Sequence, residues 1–131
     1  MNMEISFPGG ARVDAAYQDF VIKTDQPPHG GGESSAPTPF ALFLASLGTC
    51  AGIYVLGFCQ QRGIPTDDIR LRQSVEFNRV TRLIERVNLD IDLPPGFPKK
   101  YASALVRSAE KCTVKKHLEK PPEINVQALV N

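Results

Sequence analysis

The chain of 131 residues has no tryptophan, only two histidines, and no Cys-x-x-Cys among its three cysteines. Each absence removes a class of function. Without Cys-x-x-Cys there is neither a thioredoxin-type redox motif nor a zinc knuckle. His29 and His117 stand at no metal-ligand spacing from the cysteines, so neither a metal nor a cofactor is expected. Three cysteines are too few, and odd in number, for a secreted disulfide framework, and suit a reducing cytosol. Net charge is nearly absent too: a balance of +1 gives no reason to expect nucleic acid or an anionic membrane as partner. The amino terminus, Met1-Asn-Met-Glu-Ile-Ser, lacks the basic start and apolar run of a signal peptide. The expectation is a cytoplasmic protein forming a single domain over 1–131.

A different deficit marks the middle of the chain. From Phe40 to Cys59 there is no charged residue, a stretch long enough to span a bilayer. Gly48 and Gly52 even form a GxxxG, the pattern of packed membrane helices. Ala45, Ser46, Gly48, Thr49, Ala51 and Gly52 suit close packing inside protein equally well, and a lone span would strand the amphipathic segments that follow. The reading is therefore a buried helix and no membrane. Thr38 is a natural N-cap with Pro39 at the first helical position. The helix should run to about Arg62, where Gly63-Ile-Pro65 ends it.

Around this helix the pattern is that of strands. Met3–Phe7, Ala11–Ala15 and Tyr17–Lys23 read as a meander turning at Pro8-Gly-Gly. Gln26–Pro37, rich in proline and glycine, reads as a loop without regular structure. Its His29-Gly-Gly-Gly lacks the GxSxG of an esterase and the Lys-Ser/Thr of a phosphate loop. Ile69, Leu71, Gln73, Val75 and Phe77 alternate with polar residues, as do Val87, Leu89, Ile91 and Leu93. Period two makes both half-buried strands, paired as a hairpin about Asn78–Thr81. A second helix is expected from about Lys99 to Lys111, a further turn or two over Val114–Leu118, and a final strand over Glu123–Val130. The fold class is α+β.

The cysteines carry the chemistry. Cys50 and Cys59 lie on one helix, nine residues apart, and at about 100° per residue they face roughly opposite ways. Cys59 therefore reads as packing. Cys50 is open between a core thiol and a reactive one. Cys112 sits at a break where Thr113 restarts a helix, with Lys111, Lys115 and Lys116 close in sequence. Free N–H groups and lysines both favour a thiolate there, against a plain semi-buried cysteine. Asp67-Asp68 and Asp90/Asp92 read as solvated faces.

Two segments, Ser35-Ala-Pro-Thr-Pro-Phe-Ala-Leu-Phe-Leu-Ala-Ser-Leu-Gly-Thr-Cys50 and Ser108-Ala-Glu-Lys-Cys112-Thr-Val, resemble the OsmC/Ohr family of thiol-dependent peroxidases and its OsmC-like branch. The first is similar to a proline-led central helix ending in the peroxidatic cysteine, the second to the segment bearing the resolving cysteine. The resemblance implies antiparallel sheets around two long central helices in an intertwined homodimer, with two sites at the subunit interface. It implies that Cys50 attacks an organic hydroperoxide and becomes a sulfenic acid, that Cys112 resolves it as a disulfide, and that an external thiol restores the pair. It also implies an activating arginine from the amino-terminal strands, held by a glutamate at the start of the central helix. Arg12 is the sole arginine before that helix, and Phe40 and Ala41 occupy the positions where the glutamate is expected. The alternative is a non-catalytic binding module of the same fold, taking a small apolar or thiol-bearing ligand.

Overall fold

In the computed structural model, residues 1–130 are described, and the chain divides into two compact units, the first Met1–Ala45 and the second from Ser46 onward. The first unit holds a three-stranded antiparallel meander: β1 (Glu4–Gly9), β2 (Arg12–Tyr17) and β3 (Phe20–Thr24), paired in that order. Gly9 and Gly10 turn β1 into β2 with φ of 138° and 57°, values that glycine adopts at no steric cost. The second turn falls inside the segment expected to be one strand. Tyr17 pairs with Phe20, so Gln18-Asp19 is a two-residue hairpin turn, with Gln18 at φ 51°. No glycine or asparagine announces it.

The loop after β3 has more order than its composition suggests. It contains one 3-10 turn, Pro28–Gly30. It is also organised by Asp25, whose side chain is buried at 1% exposure. The carboxylate accepts the backbone N–H groups of Gln26 (2.7 Å), Glu33 (3.3 Å) and Ser35 (3.0 Å), and the Ser35 hydroxyl (2.6 Å). These donors favour the charged form and lower the Asp25 pKa to about 2, the Ser35 hydroxyl acting most strongly. The Asp25 N–H in turn donates to the Pro37 carbonyl at 3.2 Å. Gly32 is required here, because a Cβ would lie 2.0 Å from the Gln26 carbonyl oxygen.

The long helix α1 (Pro39–Gln61) begins in the first unit and continues through the second. The Thr38 hydroxyl accepts the Ala41 N–H at 3.2 Å, which caps one of the orphan donors of its first turn. At its other end Gly63 is left-handed at φ 63°. The Ile64 N–H reaches the Cys59 carbonyl at 2.9 Å, and the Gly63 N–H that of Gln60 at 3.3 Å, the paired bonds of a Schellman ending. Within one chain only the stripe Leu47, Ala51, Val55, Phe58 and Cys59 is buried, while Ile53 is 59% exposed. By length and composition α1 is apolar enough to cross a membrane, with 28% of its most apolar window buried.

The rest of the second unit packs on that stripe. β4 (Arg70–Phe77) and β5 (Ile84–Asp92) form the expected hairpin, with Leu71 opposite Ile91, Gln73 opposite Leu89 and Val75 opposite Val87. Their turn is tied by the Asn78 side-chain oxygen, which accepts the N–H groups of Val80 and Thr81. The second helix is shorter than its pattern suggests. A 3-10 turn over Lys99–Tyr101 leads into α2 (Ala102–Ala109), and α3 (Thr113–Glu119) follows a break at Cys112. Leu105, fully buried, joins Val55, Phe58, Cys59, Ile69 and Phe97 in the core. The Arg62 guanidinium lies 3.6 Å over the Phe58 ring and donates to the Phe58 carbonyl. The tail does not form the expected strand: residues 121–130 have no regular structure, with Ile124, Val126 and Val130 exposed. Alternation alone cannot make a strand where no neighbour supplies the ladder.

Candidate functional site: a cysteine pair at the start of α3

α1 and α3 bring two of the predicted site residues together. Cys50 lies on α1, one position before the buried Ala51, and is half-buried. Cys112 is the N-cap of α3 and 3% exposed. Both are free thiols. The Cys112 sulfur accepts the Lys115 N–H at 3.3 Å, the usual service of an N-cap side chain. It also lies 4.0 Å from the Leu47 carbonyl oxygen, which can accept its S–H. The Ser108 hydroxyl donates to the Tyr54 carbonyl at 3.4 Å, tying α2 to α1 one turn beyond Cys50.

Electrostatics separate the two sulfurs. The Val114 N–H, donating to Cys50, is the main reason that its thiol pKa falls. The Cys112 thiol and the N–H and hydroxyl of Thr113 add to it, against the cost of burial. For Cys112 burial dominates and pushes the thiol up, and the bond to Cys50 raises it further. The two statements describe one interaction, which favours the anion on Cys50 and the thiol on Cys112. The local sequence favoured the opposite order, with Cys112 the more acidic. The Val114 N–H favours the anion of Cys50 most and that of Cys112 less, while the Thr113 N–H and hydroxyl act on Cys50. Neither residue was singled out for that service, and only the helical restart after Cys112 hinted at it.

The other candidate residues have partners of their own. Cys59 is fully buried and its thiol is pushed up by desolvation, as a packing residue should be. The exposed Arg12 guanidinium donates to the carbonyls of Gly9 (3.2 Å) and Pro8 (3.4 Å), bracing the β1–β2 turn. His117 Nδ1 lies 2.7 Å from the Thr113 carbonyl oxygen on the exposed side of α3. Among the described residues no group of three or more His, Cys, Asp or Glu is placed to hold a metal ion. Asp92 is better partnered than a solvated aspartate, since it holds Arg72 through two bonds of 2.5 and 2.9 Å.

A cleft of about 760 Å³ opens beside the pair. Leu47, Ala51 and Cys112 line it together with the inward residues Leu71, Val87, Leu89 and Ile91 of the hairpin.

A half-buried thiol on α1 whose anion is favoured, beside a buried second thiol at the start of α3, defines a dithiol site. The family model described as OsmC-like protein matches residues 30–127, and the chain belongs to that family. The fold agrees. A Psychrobacter arcticus 273-4 protein described as an osmotic stress induced and detoxification response protein superposes with a TM-score of 0.74 at 19% identity, covering 88% of this chain and 86% of that one. The OsmC like protein of Mycoplasma pneumoniae gives 0.66 at 15% identity, covering 92% and 87%. The organic hydroperoxide resistance protein OsmC of Legionella pneumophila gives 0.54 at 22% identity, covering 90% and 89%. At these identities the likeness is one of fold. No curated protein matches the chain significantly by sequence.

Proposed function

We propose that this chain is a thiol-dependent peroxidase that reduces organic hydroperoxides through Cys50 and Cys112, a cytoplasmic defence against oxidative stress. The observation that carries the reading is the placing of Cys50 on α1 beside Cys112 at the start of α3, where the Val114 N–H, the Thr113 groups and the Cys112 thiol favour the Cys50 anion. A thiolate so held is the nucleophile that the chemistry needs. It attacks the terminal oxygen of R–O–O–H; the O–O bond breaks, the alkoxide takes a proton and leaves as ROH, and Cys50 becomes a sulfenic acid. The Cys112 sulfur then attacks the sulfenic sulfur. Its proton leaves with the hydroxyl as water, and a disulfide forms. Two equivalents of an external thiol return both cysteines. Arg12, the sole arginine ahead of α1, is the guanidinium proposed to stabilise the leaving oxygen.

The working unit in this proposal is an intertwined homodimer of single-domain chains, its two long central helices being one α1 from each copy. The exposed side of α1, with Ile53, supports that reading, because a second copy removes apolar surface that one chain leaves in water.

The test is intact mass with peptide mapping of the reduced protein before and after one equivalent of cumene hydroperoxide. A rapid loss of two hydrogens mapping to Cys50–Cys112 is expected. Cys50→Ser should abolish peroxide consumption, and Cys112→Ser should give one turnover followed by over-oxidised Cys50. Unreacted thiols in the native protein would overturn the peroxidase and favour a binding module that uses the apolar cleft.

A further inference from the structure

The balance of +1 is the sum of two unlike parts. Residues 99–120, which hold α2 and α3, carry seven of the fifteen lysines and arginines but only two of the fourteen acids. The rest of the chain carries eight cations against twelve acids. All seven cations of the segment are exposed. Among the described residues only Lys115 of the seven has an acid within ion-pair reach, Glu119 at 3.9 Å. Both of those side chains are exposed, where such a pair contributes little. Lys100 lies 5.0 Å over the Tyr101 ring and keeps its charge. The Lys120 N–H donates to the Lys116 carbonyl at 3.0 Å, so those two side chains stand one turn apart. Arg107 and Lys111 have the same spacing at the end of α2.

Apolar side chains stand among these charges. Val106 is 46% and Leu118 51% exposed, and both line the cleft beside Glu110 and Lys115. We propose that α2–α3 is the surface by which this protein docks on an anionic lipid bilayer, its cations meeting the headgroups and Val106 and Leu118 reaching below them. Clustered lysines and arginines on short amphipathic helices are drawn to a negative leaflet, and exposed aliphatic side chains add apolar contact. The acidic remainder of the chain is repelled by the same leaflet, which turns α2–α3 towards it.

The apolar pair decides between lipid and nucleic acid. Phosphates of a nucleic acid would need the cations alone and would leave Val106 and Leu118 unused. A single strand would also need aromatic faces to stack on. The segment has one tyrosine and neither phenylalanine nor tryptophan, and the Tyr101 ring already packs edge-on against Phe58 with centroids 6.0 Å apart. Docking has a consequence for the cleft. Val106 and Leu118 belong to its rim, so the docked protein holds that rim against the bilayer. An apolar guest then passes from lipid into the cleft without crossing water.

The experiment is co-sedimentation of the full-length reduced protein with vesicles of phosphatidylcholine, alone or with about 30 mol% phosphatidylglycerol, in about 0.1 M salt. Binding to the anionic vesicles should be at least about tenfold tighter than to phosphatidylcholine alone. Lys116→Gln with Lys120→Gln removes two charges from the surface and should weaken it about twenty-fivefold. Arg79→Gln with Arg82→Gln removes as much charge from the exposed β4–β5 turn and should change it by about twofold or less. Leu118→Ser should weaken it by about fivefold, with circular dichroism confirming that each variant is folded. Equal binding to the two vesicles, equal losses in the two double variants, or tighter binding to a DNA duplex at the same salt overturns the inference. The readout does not use the thiols, so each of those results leaves the peroxidase reading standing.

Discussion

Leu105 gives the sharpest test of how the second unit holds Cys112 in place. Its side chain is fully buried among Val55, Phe58, Cys59, Ile69 and Phe97, so it anchors α2 to the buried stripe of α1. Leu105→Ala keeps the best helix former at that position and removes only packing. Such a truncation costs the lost transfer free energy plus a cavity term, about 2–5 kcal/mol in all. For 131 residues, an unfolding entropy of about 2.1 cal/mol/K per residue gives roughly 275 cal/mol/K. The expected fall in Tm is then roughly 7–18 °C. Thermal unfolding followed by circular dichroism measures it, at one fixed protein concentration because self-association would shift Tm. Val106→Ala is the control: one residue along and 46% exposed, it should cost about 0.5 kcal/mol or less. A Leu105→Ala shift below about 4 °C, or equal shifts for the two variants, would refute the packing argument.

The site and the loop give further expectations. Thr113→Val removes the hydroxyl donor from Cys50, so the midpoint of Cys50 alkylation against pH should move up, and Thr113→Ser should restore it; an unmoved midpoint removes Thr113 from the site. Arg12→Ala should slow the hydroperoxide step by roughly a hundredfold if the guanidinium serves the leaving oxygen, read by single-turnover peroxide consumption; an unchanged rate excludes it. Asp25 has its folded pKa lowered from 3.8 to about 2. Its contribution to stability is therefore complete above the unfolded value and is lost as pH falls from 3.8 through 2. Denaturant midpoints between pH 5 and 2 should fall less steeply for Asp25→Asn than for the native chain, and parallel curves would rule out the carboxylate as their source.

What the sequence disclosed follows the range of the interactions involved. Thr38-Pro39 and Gly63 mark the ends of α1 because capping is settled within a few residues. The β4–β5 hairpin is legible because Leu71, Leu89 and Ile91 keep a strict period against one core. The Gln18-Asp19 turn is hidden because glutamine is an unusual occupant of φ 51°. Asp25 is hidden for another reason: two of its donors, Glu33 and Ser35, are eight and ten residues away, and no local pattern records them. The tail failed as a strand because its ladder needs a neighbour that its own alternation cannot specify. In the site, the break before Thr113 was visible, but which sulfur would collect the freed N–H groups depends on where α1 passes α3. That is a tertiary fact.

The Asp25 knot has a consequence for how this chain tolerates change. A run containing prolines and three glycines would ordinarily carry a large cost in disorder ahead of the long helix. Here the run is tied off at its base, with Asp25 bonded both to Ser35 and to Pro37. The exposed tip at His29 and Gly30 therefore behaves like the bight of a closed noose. Residues inserted there lengthen the bight without slackening the knot, so the chain can acquire a new surface at that tip while Thr38 and Pro39 still start the helix in register.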